Sequence, residues 1–496
     1  MPTITPPYYP IVYVRGYAMT QGEIDAAVAD PYMGFNLGAT KIRQDWRGDV
    51  RRHIFESCLV RLMKDYGYTD AFGDGTERDN ELPARSIVIY RYYETADSDL
   101  GGEDAPSIEQ AANGLSDLIL NLRRQVCGDD RNERARFKVC LVAHSMGGLI
   151  CRSFLQNPDV GTAEAKSLVD KVFTYATPHN GIDMAGINVP AFMGLFDINN
   201  FNRKRMRGFL GLPEGEERPD SLNDRFDPNR FFCLIGTNHR DYTVALAMSR
   251  RFAGPMSDGL VQIENAAVRG APRAFVYRSH SGDYGIVNSE EGYQNLTRFL
   301  FGDLRVDAVL EVEGLPLPPS VRKAHEEGRE IRASYYFESV VTPRGAVGYT
   351  LSERRKETFS AILRSFDELL RVDKVEGLDS PRSPFLFSIY LDSSRVTSGR
   401  SIVFGAEIVV SSTDYEIDGF LVFDHHVEGE VLYRNHLTIR ATPSDDGWNL
   451  RYNLSDERWS EMRGSEVESD ERGPFVPLSS PKGFRGKLRL RYTAWR

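Results

Sequence analysis

The chain has 496 residues, with 61 Lys and Arg against 71 Asp and Glu, a formal net charge of −10. No basic excess is available to neutralise phosphates, which argues against nucleic acid as the main partner. A hydrophobic share of 41% and an aromatic share of 11% exclude a disordered chain, and the length allows a full core and more than one domain.

The N-terminal stretch MPTITPPYYPIVYVRGY has no basic n-region and no long apolar h-region, so it does not read as a signal peptide. No apolar run approaches the roughly 20 residues a membrane span needs. The five cysteines, Cys58, Cys127, Cys140, Cys151 and Cys233, are odd in number and form no C-x-x-C. Buried free thiols in a reducing compartment fit them better than a disulfide framework. The expectation is a soluble cytoplasmic protein, although leaderless secretion would leave no trace in the sequence.

The first 300 residues alternate strand-like and helix-like segments. Short apolar runs at PIVYV (10–14), SIVIY (86–90), FKVCLVA (137–143), KVFTYA (171–176), FFCLIG (231–236) and AFVYR (274–278) read as strands. Over 48–66, Val50, Ile54, Cys58 and Leu62 recur every four residues and predict a helix. Over 107–126, Ile108, Leu115, Leu118, Leu122 and Val126 form a stripe, and Ser107 with Gln110 forms a capping box. Nearly continuous apolar strands alternating with helices predict an α/β domain, a parallel sheet covered on both faces.

Near GDLRVD (302–307) the pattern changes to period-2 strands separated by turn clusters such as PSDDG and SSPKG. One helix is expected from Ser352, with Phe359, Ile362, Leu363, Phe366 and Leu370 on one face. Residues 303–496 are therefore expected to form a separate, mainly antiparallel β domain, a sandwich. Residues 1–302 form the α/β domain, with a lid-like insertion at about 184–228. There Ile187, Val189, Pro190, Phe192, Met193, Leu195, Phe196 and Ile198 are apolar and a polar run follows. The insertion 18–47, with Tyr32, Met33 and Phe35, would form the opposite wall.

The sharpest motif is Ala143-His144-Ser145-Met146-Gly147-Gly148, directly after a buried strand and opening a helical run. A serine on a strained strand-to-helix turn needs small residues two before and two after it, and Ala143 and Gly147 satisfy this. The turn puts the Met146 N–H at a helix N-terminus, where it can donate to a developing oxyanion.

With this elbow the chain resembles the lipase and esterase branch of the α/β-hydrolase superfamily, over residues 8–302. The segments Thr177-Pro178-His179-Asn180-Gly181 and Ser257-Asp258-Gly259-Leu260-Val261 are similar to stretches of bacterial lipases. The fold orders its triad Ser, acid, His. After Ser145 the α/β half offers His179, His239 and His280, and the resemblance implies His280, after the last sheet strand, as general base. For the acid it implies Asp258, 22 residues earlier, with Asp241 and Asp183 as rivals. The second oxyanion donor is expected from Val14-Arg15-Gly16-Tyr17, as the Tyr17 backbone N–H. Similar lipases carry His-Gly there; this chain has Arg15, expected to pair with a carboxylate.

No cofactor is expected. Calcium-supported lipases suggest Asp283 and Asp241 as oxygen ligands, but Asp283 is offset, so no metal is assigned. Asp424-His425-His426 resembles a metal pair but reads as a solvated strand end. The function this implies is a serine carboxylester hydrolase: lipase, phospholipase or esterase. A thioesterase or acyltransferase would use the same residues, and a scaffold working through the β domain is the reading from another class. Expected partners are a lipid or ester substrate, a lipid surface met peripherally, and a protein met through 303–496.

Overall fold

The computed structural model describes residues 4–16, 21–44, 47–71, 82–98, 104–184, 187–188, 198–241, 253–346, 348–371, 380–397, 399–418, 425–445, 447–455 and 464–495. The chain divides into two compact units, one of residues 1–273 and 277–301, the other of residues 274–276 and 302–496.

The apolar runs of the first half are strands with almost no exposed position. Ile11–Val14 is buried at all four residues and Phe231–Gly236 at all six. They belong to one seven-stranded parallel sheet. Its order is Arg273–Val276, Phe231–Gly236, Val169–Tyr175, Val139–His144, Ile11–Val14, Ser86–Tyr90 and Thr69–Asp70. Val139–His144 lies near the middle, paired in parallel with Ile11–Val14 and with Val169–Tyr175. Helix Ile108–Cys127 starts at the capping box of Ser107 and Gln110 and buries Ile108, Leu115, Ile119, Leu122 and Val126. Each such side chain stabilises by about 1.5–3 kcal/mol relative to exposure. It packs on helix Met146–Gln156, which packs on the strand before it.

The junction of that strand and helix is tight. Ser145 has φ 52° and ψ −127°, a conformation that ordinary L-residues avoid at a cost of about 1–3 kcal/mol. Backbone bonds hold it: Ser145 N donates to Tyr175 O at 2.9 Å and Gly148 N donates to Ser145 O at 3.0 Å. A side chain on Gly147 would place its Cβ 2.3 Å from Val14 O and 2.6 Å from Arg15 O, both backbone atoms.

The helix is also anchored by charge. Arg152 is fully buried, yet its donors meet His179 O at 2.8 Å, Pro219 O at 2.6 Å and Ser221 O at 2.7 Å. Burial pushes its guanidinium down to about 10. All five cysteines are buried and free. No helix among the described residues is long and apolar enough to cross a membrane.

The helix expected over 48–66 is half strand. Val50–Ser57 forms a hairpin with Gly38–Gln44, and the helix begins only at Cys58, capped by the Ser57 side chain on Val60 N. A four-residue apolar spacing also fits period 2, so spacing alone did not separate the two.

The second unit is antiparallel. One sheet runs Phe385–Leu391, Leu304–Gly314, Arg485–Ala494, Gly473–Ser479, Glu468–Asp470. Another is built on Ser334–Pro343, Ile402–Ser412, Val431–Ser444 and Gly447–Leu454. One apolar core joins them: Val306, Ala308, Leu310 and Leu488 from the first, Phe404, Ile408, Leu437 and Ile439 from the second. That is a sandwich. The helix expected from Ser352 does not exist there. Ser352–Arg354 and Ile362–Ser365 are strands on Ser334–Pro343, and only Phe366–Leu370 is helical, opened by a capping box of Ser365 and Glu368. Phe359 sits in a turn at φ 56° and is exposed, as is Leu363.

Two predictions follow from this packing. Gly147→Ala should cost about 3 kcal/mol, because the clash is with backbone, whereas Gly215→Ala, with nothing within 4 Å, should stay within about 0.5 kcal/mol. Urea midpoints of the two variants check this, and equal midpoints would refute the steric account. The second concerns Lys171, buried with Nζ donating to Leu300 O at 2.9 Å. Burial pushes its amine down to about 8. An unfolded lysine keeps its proton to about 10.4, so between these values the unfolded chain binds more protons and stability rises with pH. Wild type should therefore gain on Lys171→Met by on the order of 2 kcal/mol as pH rises from about 7.5 to about 10. Parallel stability curves for the two proteins would contradict it.

Candidate active site

Three segments that end sheet strands meet at Ser145. The sharp turn at Ser145 follows Val139–His144. Asp258 lies in the loop after Phe231–Gly236, just before the 3₁₀ turn Ile263–Asn265, and His280 follows Arg273–Val276. His280 Nε2 is 2.9 Å from Ser145 Oγ, and His280 Nδ1 is 2.9 Å from Asp258 Oδ2. All three are buried, at 6%, 3% and 1% exposure for Ser145, His280 and Asp258.

The hydrogen bonds fix the protons. A carboxylate only accepts, so Nδ1 of His280 carries the proton and Nε2 presents its lone pair to the Ser145 hydroxyl. The other oxygen of Asp258 accepts from Leu260 N at 3.0 Å and Val261 N at 2.8 Å. These donors satisfy a carboxylate that burial would otherwise penalise heavily. The Asp258 carbonyl also accepts from His280 N at 2.9 Å, so acid loop and histidine loop are joined by backbone as well as side chain.

Met146 is the first residue of its helix, so its N–H has no acceptor inside the helix. Thr177 Oγ1 donates to Ser145 O at 2.8 Å. Gly16 passes so close that an added Cβ would lie 2.7 Å from Ser145 Cβ. Tyr17 itself lies outside the described residues. Arg15 Nη1 donates to Met33 O at 2.7 Å, a carbonyl of the 18–47 insertion, and among the described residues no carboxylate pairs with it. In that insertion Met33 and Phe35 are buried, Phe35 against Tyr13, and Tyr32 donates to Asp70 Oδ2 at 2.6 Å.

The rival groups are occupied elsewhere. Asp241 Oδ2 accepts from Asn238 Nδ2 at 2.7 Å. Asp183 Oδ2 accepts from Arg203 at 2.7 Å and from Asn265 Nδ2 at 2.8 Å. His179 is buried beside Thr174 Oγ1 at 3.1 Å, and burial holds it well below the usual imidazole range, neutral. Asp283 stands on an exposed turn. Among the described residues no cluster of three or more His, Cys, Asp or Glu could hold a metal ion. His426 Nε2 lies 3.0 Å from Asp414 Oδ2 in an exposed pair, and Asp424 is outside the described residues. Of the lid-like insertion, 185–186 and 189–197 are outside too, which covers most of its apolar residues. The described remainder includes the strand Ile187–Asn188 paired with Asp183–Met184, a 3₁₀ turn, Ile198–Phe201, and a short helix, Arg203–Phe209, that buries Met206 and Phe209.

Sequence reasoning missed two neighbours of the elbow, Thr177 and His144. His144 Nε2 is 2.9 Å from His280 O. Both residues stood inside quoted motifs, but nothing in their spacing showed what they touch.

Residues 85–192 match a family model described as the PGAP1-like alpha/beta domain. The match covers the elbow and the neighbouring strand Val169–Tyr175 but not the strand Ile11–Val14, Asp258 or His280. No curated protein matches the chain. Among solved structures, the chain is similar to the phospholipase PlaB of Legionella pneumophila at 13% identity, covering 85% of this chain and 92% of that one with a TM-score of 0.33. It is also similar to a gene product of Listeria innocua, at 14% identity over 59% of this chain and 93% of that one, TM-score 0.26. Lipase B of Aspergillus fumigatus is 11% identical over 60% of this chain and 52% of its own, TM-score 0.28. The seven-stranded parallel sheet, with the sharp turn from its central strand into a helix, is an α/β-hydrolase fold, and residues 85–192 within it match the PGAP1-like alpha/beta domain.

Proposed function

We propose that the protein is a serine carboxylester hydrolase, a lipase, phospholipase or esterase, and that Ser145, His280 and Asp258 are its catalytic triad. The observation that carries this reading is the buried chain of two 2.9 Å contacts from Asp258 through His280 to Ser145. Ser145 Oγ attacks the ester carbonyl carbon while His280 Nε2 takes its proton. Asp258 holds the imidazole in the reactive tautomer and stabilises the imidazolium. The oxyanion is met by the Met146 N–H and, in this proposal, by the Tyr17 N–H. The alkoxide leaves with the proton from His280, which gives an acyl-enzyme on Ser145. Water, deprotonated by the same imidazole, then releases the acid. Residues 1–302 carry this chemistry as one domain, and 303–496 form a second. The substrate is a lipid or other uncharged-carbonyl ester small enough to reach a buried serine.

The test is steady-state hydrolysis of esters from acetate to long acyl chains, with phospholipids included. Ser145→Ala and His280→Ala should each lower kcat by on the order of 10⁴ or more, because triad members act as one unit. Asp258→Asn should cost somewhat less, and Asp241→Asn little. Full activity in Ser145→Ala would refute the assignment, and a far larger loss in Asp241→Asn than in Asp258→Asn would move the acid.

A further inference from the structure

His144 directly precedes the nucleophile, is half-buried, and plays no part in the proton path above. Its Nε2 lies 2.9 Å from the carbonyl oxygen of His280. A carbonyl can only accept, so Nε2 carries the proton and donates. Its rings and those of His280 are 5.1 Å apart, tilted by 47°. On its Nδ1 side the backbone closes in: a Cβ on Gly16 would lie 3.2 Å from that nitrogen. Burial, then the neighbouring His280, pushes the imidazole down to about 3, and the Arg15 guanidinium acts in the same direction. His144 is thus a neutral donor of fixed tautomer.

Its bond completes the anchoring of His280. The His280 N–H donates to Asp258 O at 2.9 Å, its Nδ1 meets the Asp258 carboxylate at 2.9 Å, and its carbonyl accepts from His144. The acid loop alone would fix base to acid, not base to nucleophile. His144 is one peptide bond from Ser145, so it makes the short link between the two. We propose that His144 is a positioning residue, whose Nε2–H holds the His280 backbone and so fixes the separation of general base and nucleophile. The inference rests on the esterase reading. A displacement of about 1 Å at such a pair can cost on the order of a hundredfold in rate. A neutral donor suits the task, because His280 becomes positive during the reaction and a second charge beside it would oppose proton transfer.

The experiment compares the full-length wild type with His144→Gln, whose side-chain amide can reach the same carbonyl, and with His144→Leu, which has no donor. His144→Gln should keep kcat within about threefold of wild type. His144→Leu should lose about tenfold or more in kcat with KM nearly unchanged, since one hydrogen bond is at stake and substrate contacts are not. A purely structural role would leave Gln and Leu variants equally active or equally impaired, and either result overturns the proposal. Because His144→Leu can fail to fold, long-range ¹⁵N–¹H NMR of the wild type gives an independent decision. It should show His144 as the neutral Nε2–H tautomer from pH 5 to 8; an Nδ1–H tautomer or a titration in that range overturns the proposal. An active wild type with an indifferent Leu variant removes His144's role alone. A wild type inactive on every ester removes the hydrolase reading and the role with it.

Discussion

At Ser145 the chain turns from the central strand into a helix with φ 52° and ψ −127°, and no side chain fits two residues further on. That steric condition organises the first unit. It forces glycine at Gly147, brings the carbonyls of Val14 and Arg15 against the helix, and leaves the Met146 N–H without an intrahelical acceptor. The strain is held by backbone bonds to Tyr175 and Gly148 and by Thr177 from the neighbouring strand's loop. The site is therefore built at the end of a buried strand near the middle of the sheet.

Polar groups packed at and near this junction work mainly as tethers to backbone. Arg152 gathers three carbonyls from two distant segments, Lys171 holds the end of helix Glu290–Phe301, and His144 holds His280. Each meets carbonyl oxygens in these contacts, which satisfies its donors without a carboxylate bonded in return. Arg15 follows the same habit through Met33 O, where the sequence suggested an ion pair. Asp258 is the complementary case, an acceptor satisfied by two backbone N–H groups and one imidazole.

The strands, the sheet and the elbow were legible because burial on both faces leaves continuous apolar runs and the turn demands small residues at fixed offsets. Two segments misread as helix show the limit. In 48–66 a four-residue spacing serves a strand as well as a helix, and in 352–370 the apolar residues are divided among a turn at Phe359, a strand at Ile362 and Leu363 and one turn of helix at Phe366 and Leu370. Pairing with a distant strand decided both, and pairing partners are not written locally. Asp258 and His280 could be named from motif and order, whereas the contact of His280 with Ser145, 135 residues earlier, needed the strands of the sheet to pair. Nothing in the sequence separated His144 from an ordinary elbow residue, since its partner is a backbone atom 136 residues away. The β unit was legible as a sandwich from its period-2 strands, but no residue there announces a chemistry.

The proposed mechanism requires that Ser145 be acylated during turnover. The most direct measurement is a millisecond mixing experiment with a chromogenic ester, quenched in acid and followed by peptide mass spectrometry. The account expects a burst of alcohol close to one equivalent per chain and an acyl group on the peptide containing Ser145, absent in Ser145→Ala. Turnover without a burst and without an adduct on that peptide, under conditions where deacylation is slowed, would contradict it.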